Sequence, residues 1–168
     1  IYTKEDTLSL HDALPISTIY HDPETRKNSI SYRTNMARLM EQLINDGQNE
    51  KAKKVIEMAM TKMPMDYYGY YTMVEPFAAG YYKLGEKEKA RQLLDRLINK
   101  YKQSLTYFSG IQPSIQNGIA SDIITDIERY RSLLYVMKDN KDLEFYIKNK
   151  AAFNSLNKRF ERFGREME

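Results

Sequence analysis

Asp46-Gly47-Gln48-Asn49-Glu50-Lys51-Ala52 and Leu84-Gly85-Glu86-Lys87-Glu88-Lys89-Ala90 are two copies of one helix-turn-helix hinge, and their reading decides the fold. In each copy a glycine closes an amphipathic helix, a polar step follows, and an alanine stands where the next helix must cross the first. Glycine reaches the left-handed conformation that ends a helix, and alanine puts little bulk at a close crossing. Gly47 to Gly85 and Ala52 to Ala90 are both 38 residues, so the register is kept. A period of roughly 20–50 residues is the signature of a stacked array. The expected fold is all-α, built of helical hairpin repeats.

Outward from the hinges, the three-and-four spacing of apolar residues places the helices. The first hairpin is expected to pair a helix over Tyr32–Asp46, burying Met36, Leu39, Met40, Leu43 and Ile44, with one over Asn49–Lys62, burying Ala52, Val55, Ile56, Ala59 and Met60. Met63-Pro64 ends it, because proline cannot continue the backbone ladder. The second hairpin begins near Glu75, with Pro76 in its first turn, runs through Phe77, Ala78, Tyr81 and Leu84, and returns over Lys87–Tyr101. Ser104–Gly118, with Gly110, Pro113 and Gly118, reads as turns or short helical pieces. A last pair is expected over Ala120–Lys138 and Lys141–Phe163, joined by Asp139-Asn140. It lacks the glycine and alanine of the first two, as a degenerate capping hairpin should.

The first sixteen residues are set apart. Thr7–Ile16 resembles the in-frame translation of ACT CTT TCC CTA CAC GAC GCT CTT CCG ATC, a common sequencing adapter, and Ile1–Thr3 fits the other end of the same oligonucleotide. Residues 1–16 are therefore read as a sequencing-adapter artefact and excluded from fold reasoning, so His11 and Asp12 carry no function and the natural chain is expected to continue upstream. Ser17–Ser31, polar and with Asp22-Pro23, is expected as a lead-in loop or arm, and residues 32–165 as the repeat domain.

Composition excludes several function classes. The 26 Lys and Arg against 23 Asp and Glu give +3; setting aside Lys4, Glu5, Asp6 and Asp12 leaves 25 against 20, or +5, a mild excess that does not require nucleic acid. The chain has no cysteine, which removes disulfide frameworks and thiolate metal sites. No run approaches the ~18 apolar residues of a membrane span. His21 is the one histidine outside the adapter-like segment and stands beside Asp22, read as a solvated loop pair. No phosphate-binding glycine loop is present. Asp122, Asp126 and Glu128 sit where carboxylates favour a helix N-terminus. Lys158, Arg159, Arg162 and Arg165 are interleaved with Glu161, Glu166 and Glu168, which reads as a solvated face rather than a nucleic-acid or lipid patch. No catalytic, cofactor-binding or metal-ligating residue is assigned.

Asp66-Tyr67-Tyr68-Gly69-Tyr70-Tyr71 leaves two readings open. Tyr67, Tyr68, Tyr70 and Tyr71 either fill a wedge between hairpins or face outward to stack on a sugar or peptide.

The hinge and its flanks resemble the tetratricopeptide motif. Leu39, Leu43, Ala52, Ile56, Ala59 and Pro64 fall on its positions in the first copy, and Phe77, Ala78, Tyr81, Ala90 and Leu94 in the second. Met36 and Val74 replace the usual aromatic, Lys102 stands at the closing proline, and the period exceeds the usual ~34 by four. In such arrays the first helix of each pair lines the concave surface, which implies a groove of Thr34, Arg38, Glu41, Asn45, Glu75, Tyr82 and Lys83 for a protein or peptide partner. A wider resemblance rests on Arg33–Leu39, Lys51-Ala52, Met63-Pro64, Tyr67-Tyr68, Ala79–Ala90 and Leu105-Thr106-Tyr107-Phe108. These are similar to the C-terminal region of multi-spanning bacterial membrane proteins related to protein O-mannosyltransferases. That resemblance implies a non-catalytic tail at the periplasmic face of the inner membrane, attached to a sugar transferase whose catalytic carboxylates lie in the membrane part. The tail would bind a partner or position an acceptor and contact the rest of its parent, without nucleic acid and without a membrane span of its own. A free-standing adaptor and a glycan-recognising helical domain are the alternatives.

Overall fold

The computed structural model of the chain describes residues 23–69 and 71–166. The described residues hold eight α-helices: α1 (Pro23–Asn45), α2 (Asn49–Lys62), α3 (Met65–Tyr68), α4 (Glu75–Lys83), α5 (Lys87–Ser109), α6 (Pro113–Gly118), α7 (Ala120–Asp139) and α8 (Leu143–Asn157). Two 3-10 segments, Tyr71–Val74 and Lys158–Glu166, accompany them, and there is no strand among the described residues. Three antiparallel hairpins, α1–α2, α4–α5 and α7–α8, stack in chain order. The first helices of neighbouring hairpins touch, and α5 packs broadly on α7.

All three hairpins close with the same turn. Gly47, Gly85 and Lys141 take φ of 71°, 77° and 59°. Each N–H bonds three residues back, and the next N–H bonds five back: Gly47 to Ile44 and Gln48 to Leu43, Gly85 to Tyr82 and Glu86 to Tyr81, Lys141 to Lys138 and Asp142 to Met137, all at 2.8–3.0 Å. This pair of bonds is the Schellman closure of a helix. The turn expected at the first two hinges is thus present, and the third hairpin repeats it with a lysine where the others have glycine.

The core runs through the stack. Ala52, Ile56, Ala59, Phe77, Ala78, Ala90 and Leu94 are fully buried, as the hinge alanines require. Gly80 lets α4 come against the first hairpin: a Cβ there would lie 2.3 Å from Met40 Sδ and 3.2 Å from Ile56 Cδ1. Farther on, Leu105, Ile123, Tyr130, Leu133 and Met137 join the second hairpin to the third.

Three boundaries differ from expectation. The stretch read as an arm, 17–31, is helical from Pro23, while residues 1–16 and the rest of the arm lie outside the described residues. The buried face of early α1 is Ser29, Arg33, Ala37 and Met40, and a buried serine and arginine leave no apolar period to read. α5 runs on to Ser109, because Leu105 extends the stripe of Leu94, Ile98 and Tyr101, and Gly110 ends it. The final helix stops at Asn157; Phe160, with φ −120° and ψ 18°, breaks the path, and a 3-10 tail packs on α7 and α8.

Candidate functional site

The expected groove residues divide into two groups. Arg38, Glu41, Asn45 and Lys83 are exposed on α1 and α4. Thr34 is half-buried and donates to Ile30 O at 2.7 Å. Glu75 and Tyr82 turn toward the third hairpin instead of standing free in a groove. Glu75 accepts from Ser132 Oγ at 2.7 Å, and Tyr82 donates its hydroxyl to Asp142 Oδ2 at 2.8 Å. Burial pushes the Glu75 carboxyl up, and the Ser132 hydrogen bond partly opposes this.

Asp142 is the centre of that junction and was not legible as a site. It is the N-cap of α8, yet its carboxylate makes no capping hydrogen bond to that helix. Arg91 of α5 grips it bidentately, Nε at 2.8 Å and Nη2 at 2.6 Å, and Lys87 Nζ lies at 3.1 Å. The Arg91 guanidinium holds the buried Asp142 carboxyl well below the usual carboxylate range. Burial and the Asp142 bond together push the Tyr82 hydroxyl up.

The same contact occurs one hairpin earlier. Glu86 is the N-cap of α5, as Asp142 is of α8, and Lys53 of α2 forms an ion pair with it. Lys53 follows its own N-cap, Gln48, by five residues, and Arg91 follows Glu86 by five. A cation one turn into each second helix thus binds the acid that opens the next second helix. Lys89 adds contacts to Glu57 at 3.6 Å and Glu86 at 3.7 Å. In the second hinge Glu86, Lys87 and Lys89 thus join hairpins.

Arg33, quoted above only as part of a resemblance, is the one fully buried cation among the described residues. It is fully buried and donates from Nη2 to Met63 O at 2.7 Å and from Nη1 to Gly69 O at 2.6 Å. Those carbonyls end α2 and α3, so one side chain satisfies two helix C-termini and pins the tyrosine segment to α1.

Of the four tyrosines, Tyr70 lies outside the described residues. Tyr67 is half-buried, and Tyr68 and Tyr71 pack on the core. Tyr71 also faces a cleft of about 240 Å³ bounded by Met65, Asp66, Arg96 and Asn99, with Lys100 Nζ 5.6 Å from its ring centre. One aromatic ring therefore takes part in packing and in an open cleft at once.

Asp126 accepts from Ser104 Oγ, and Glu128 binds Arg131 Nη1 at 2.5 Å. Arg159 donates to Ser109 Oγ at 3.2 Å, and Arg162 donates to Gln116 Oε1. Apart from Glu128–Arg131, which lies within α7, these contacts fasten separate elements to one another. Among the described residues no group of three His, Asp or Glu could hold a metal ion, and no helix is long and apolar enough to cross a membrane. His21 lies outside the described residues.

Fold and site together define an all-helical protein of stacked hairpins with charged inter-hairpin junctions. Neither a protein family, nor a curated protein, nor a solved structure matches the chain.

Proposed function

We propose that the chain is a protein-binding scaffold of tetratricopeptide-like hairpins, and that the exposed surface of its first helices receives the partner. One observation carries the reading: α1 and α4 lie side by side with Arg38, Glu41, Asn45 and Lys83 open to solvent, while buried Asp142 is occupied in joining hairpins. Adjacent helices presenting polar residues at fixed spacing suit an extended peptide or a partner helix. Reversing both cations, Arg38→Glu with Lys83→Glu, tests this in a pull-down from the source organism. Loss of captured partners with an unchanged melting temperature supports the surface. Retention of every partner refutes it.

The resemblance to protein O-mannosyltransferase-related membrane proteins extends the proposal. In that form the scaffold is the periplasmic tail of a sugar transferase and positions an acceptor protein. Long-read sequencing across the junction before Ser17 tests the attachment. An open frame running back through many hydrophobic spans supports it, and a start codon close before Ser17 leaves a free-standing adaptor.

A further inference from the structure

The common turn gives each hairpin a shared numbering, and that numbering exposes a second docking face. Seven residues before the turn stand Met40, Ala78 and Leu134; nine after it stand Ile56, Leu94 and Lys150. In the first hairpin these two positions, Met40 and Ile56, form the seat for α4, as their closeness to Gly80 records. In the second hairpin, the positions ten and three before the turn are Glu75 and Tyr82, which hold the third hairpin through Ser132 and Asp142. The face is therefore the one on which each hairpin receives the next.

Among the described residues the third hairpin receives no further hairpin on this face, and the chemistry of the face has changed. The positions of Glu75 and Tyr82 are taken by Arg131 and Lys138, and that of the buried Leu94 by exposed Lys150. They rim a groove of about 250 Å³ whose floor is Leu134 and Phe153 and whose wall is Tyr135, 54% exposed. Lys150 Nζ lies 5.4 Å from the Tyr146 ring and the Arg131 guanidinium 5.8 Å from that of Phe153, so both cations are held over the groove. Glu128, bound to Arg131, is the carboxylate that meets this rim; the balance is three cations to one acid. The chain's own 3-10 tail packs near the other end of the hairpin, where Arg162 reaches Gln116 and Pro113.

We propose that this end face binds an amphipathic helix whose apolar stripe is flanked by Asp and Glu. The apolar floor stands where a helix is received in the two preceding hairpins, and Arg131 and Lys138 stand where Glu75 and Tyr82 of the second hairpin bond to the incoming hairpin. An incoming helix must therefore bring carboxylates as acceptors. The face is separate from the Arg38–Lys83 surface and does not depend on it.

The test titrates the full chain against two labelled 20-residue helical peptides with the same leucine stripe, one flanked by Glu and one by Lys, and reads anisotropy. Anionic vesicles are tested in parallel, and the chain's self-association is followed by sedimentation. The Glu-flanked peptide is expected to bind, weakened by added salt and by at least about tenfold in Lys138→Glu with Lys150→Glu. Both lysines are exposed, so the melting temperature should hold. Arg38→Glu with Lys83→Glu should leave this binding unchanged, which separates it from the other surface. The proposal is overturned if neither peptide binds, if the two bind alike, or if Glu-peptide binding ignores the Lys138 and Lys150 reversal. It is equally overturned if vesicles bind and the peptide does not, which makes the face a lipid contact, or if the reversal abolishes only self-association, which makes it a dimer interface.

Discussion

Lys141 and Asp142 are adjacent and show how a local cost is held in place. A non-glycine residue in the left-handed region is strained by its Cβ, by about 1–2 kcal/mol. Lys141 keeps φ 59° because its own N–H and that of Asp142 close the helix, and because Asp142 is fixed by Arg91, Lys87 and Tyr82. Lys141→Gly should therefore raise stability by about 1 kcal/mol after glycine's unfolded-state entropy is discounted, read as an upward shift in Tm. Asp142→Asn leaves its cations without their anion and should cost about 3 kcal/mol near neutral pH. Because the folded Asp142 pKa is depressed, its stabilisation is fully present above the unfolded value of about 3.9 and is lost as pH falls toward the folded one. In urea titrations at pH 7, 5 and 3, the gap between parent and variant should therefore be widest at pH 7 and 5 and should narrow at pH 3. A gap independent of pH would remove Asp142 from the acid sensitivity of the fold.

At the scale of elements, Arg33 decides whether the tyrosine segment is attached. Arg33→Leu removes donors from the Met63 and Gly69 carbonyls in a buried site, a loss of about 3 kcal/mol. Limited proteolysis of the variant should cut first within Met65–Val74, and preferential cutting elsewhere would contradict the pinning role. The same residue explains what sequence could and could not give. The hinge glycines and alanines, the proline stop at Pro64 and the start at Glu75 were legible because each rests on a local backbone rule. The start of α1 was not, because its buried face is Ser29 and Arg33, and the carbonyls that Arg33 binds lie 30 and 36 residues away. The third turn was placed at Asp139-Asn140, but its type was hidden likewise: Lys141 signals no left-handed residue, and the ties that hold it come from the second hairpin. Glu75 and Tyr82 were placed on the right helix, but the groove expectation carried no information about hydrogen bonds to a third hairpin.

For the whole molecule, the repeated cation-to-N-cap contact makes three hairpins one body, and both proposed docking faces depend on that. Lys53–Glu86 is only partly buried, while Asp142 in the Arg91–Asp142 pair is buried and also bound by Tyr82 and Lys87, so the second junction is the stronger lock. The end-face groove was illegible in the sequence because Arg131, Lys138 and Lys150 are ordinary surface cations until the shared turn aligns them with Glu75, Tyr82 and Leu94. The most direct measurement is a double-mutant cycle on Arg91→Ala and Asp142→Ala in the full chain, followed by urea denaturation. With the hairpins locked through this pair, the expected coupling is about 1–3 kcal/mol, and each single variant should unfold with a broadened or split transition as the third hairpin loosens. Additivity within about 0.5 kcal/mol, with sharp single transitions throughout, would contradict a stack joined hairpin to hairpin by its N-cap acids.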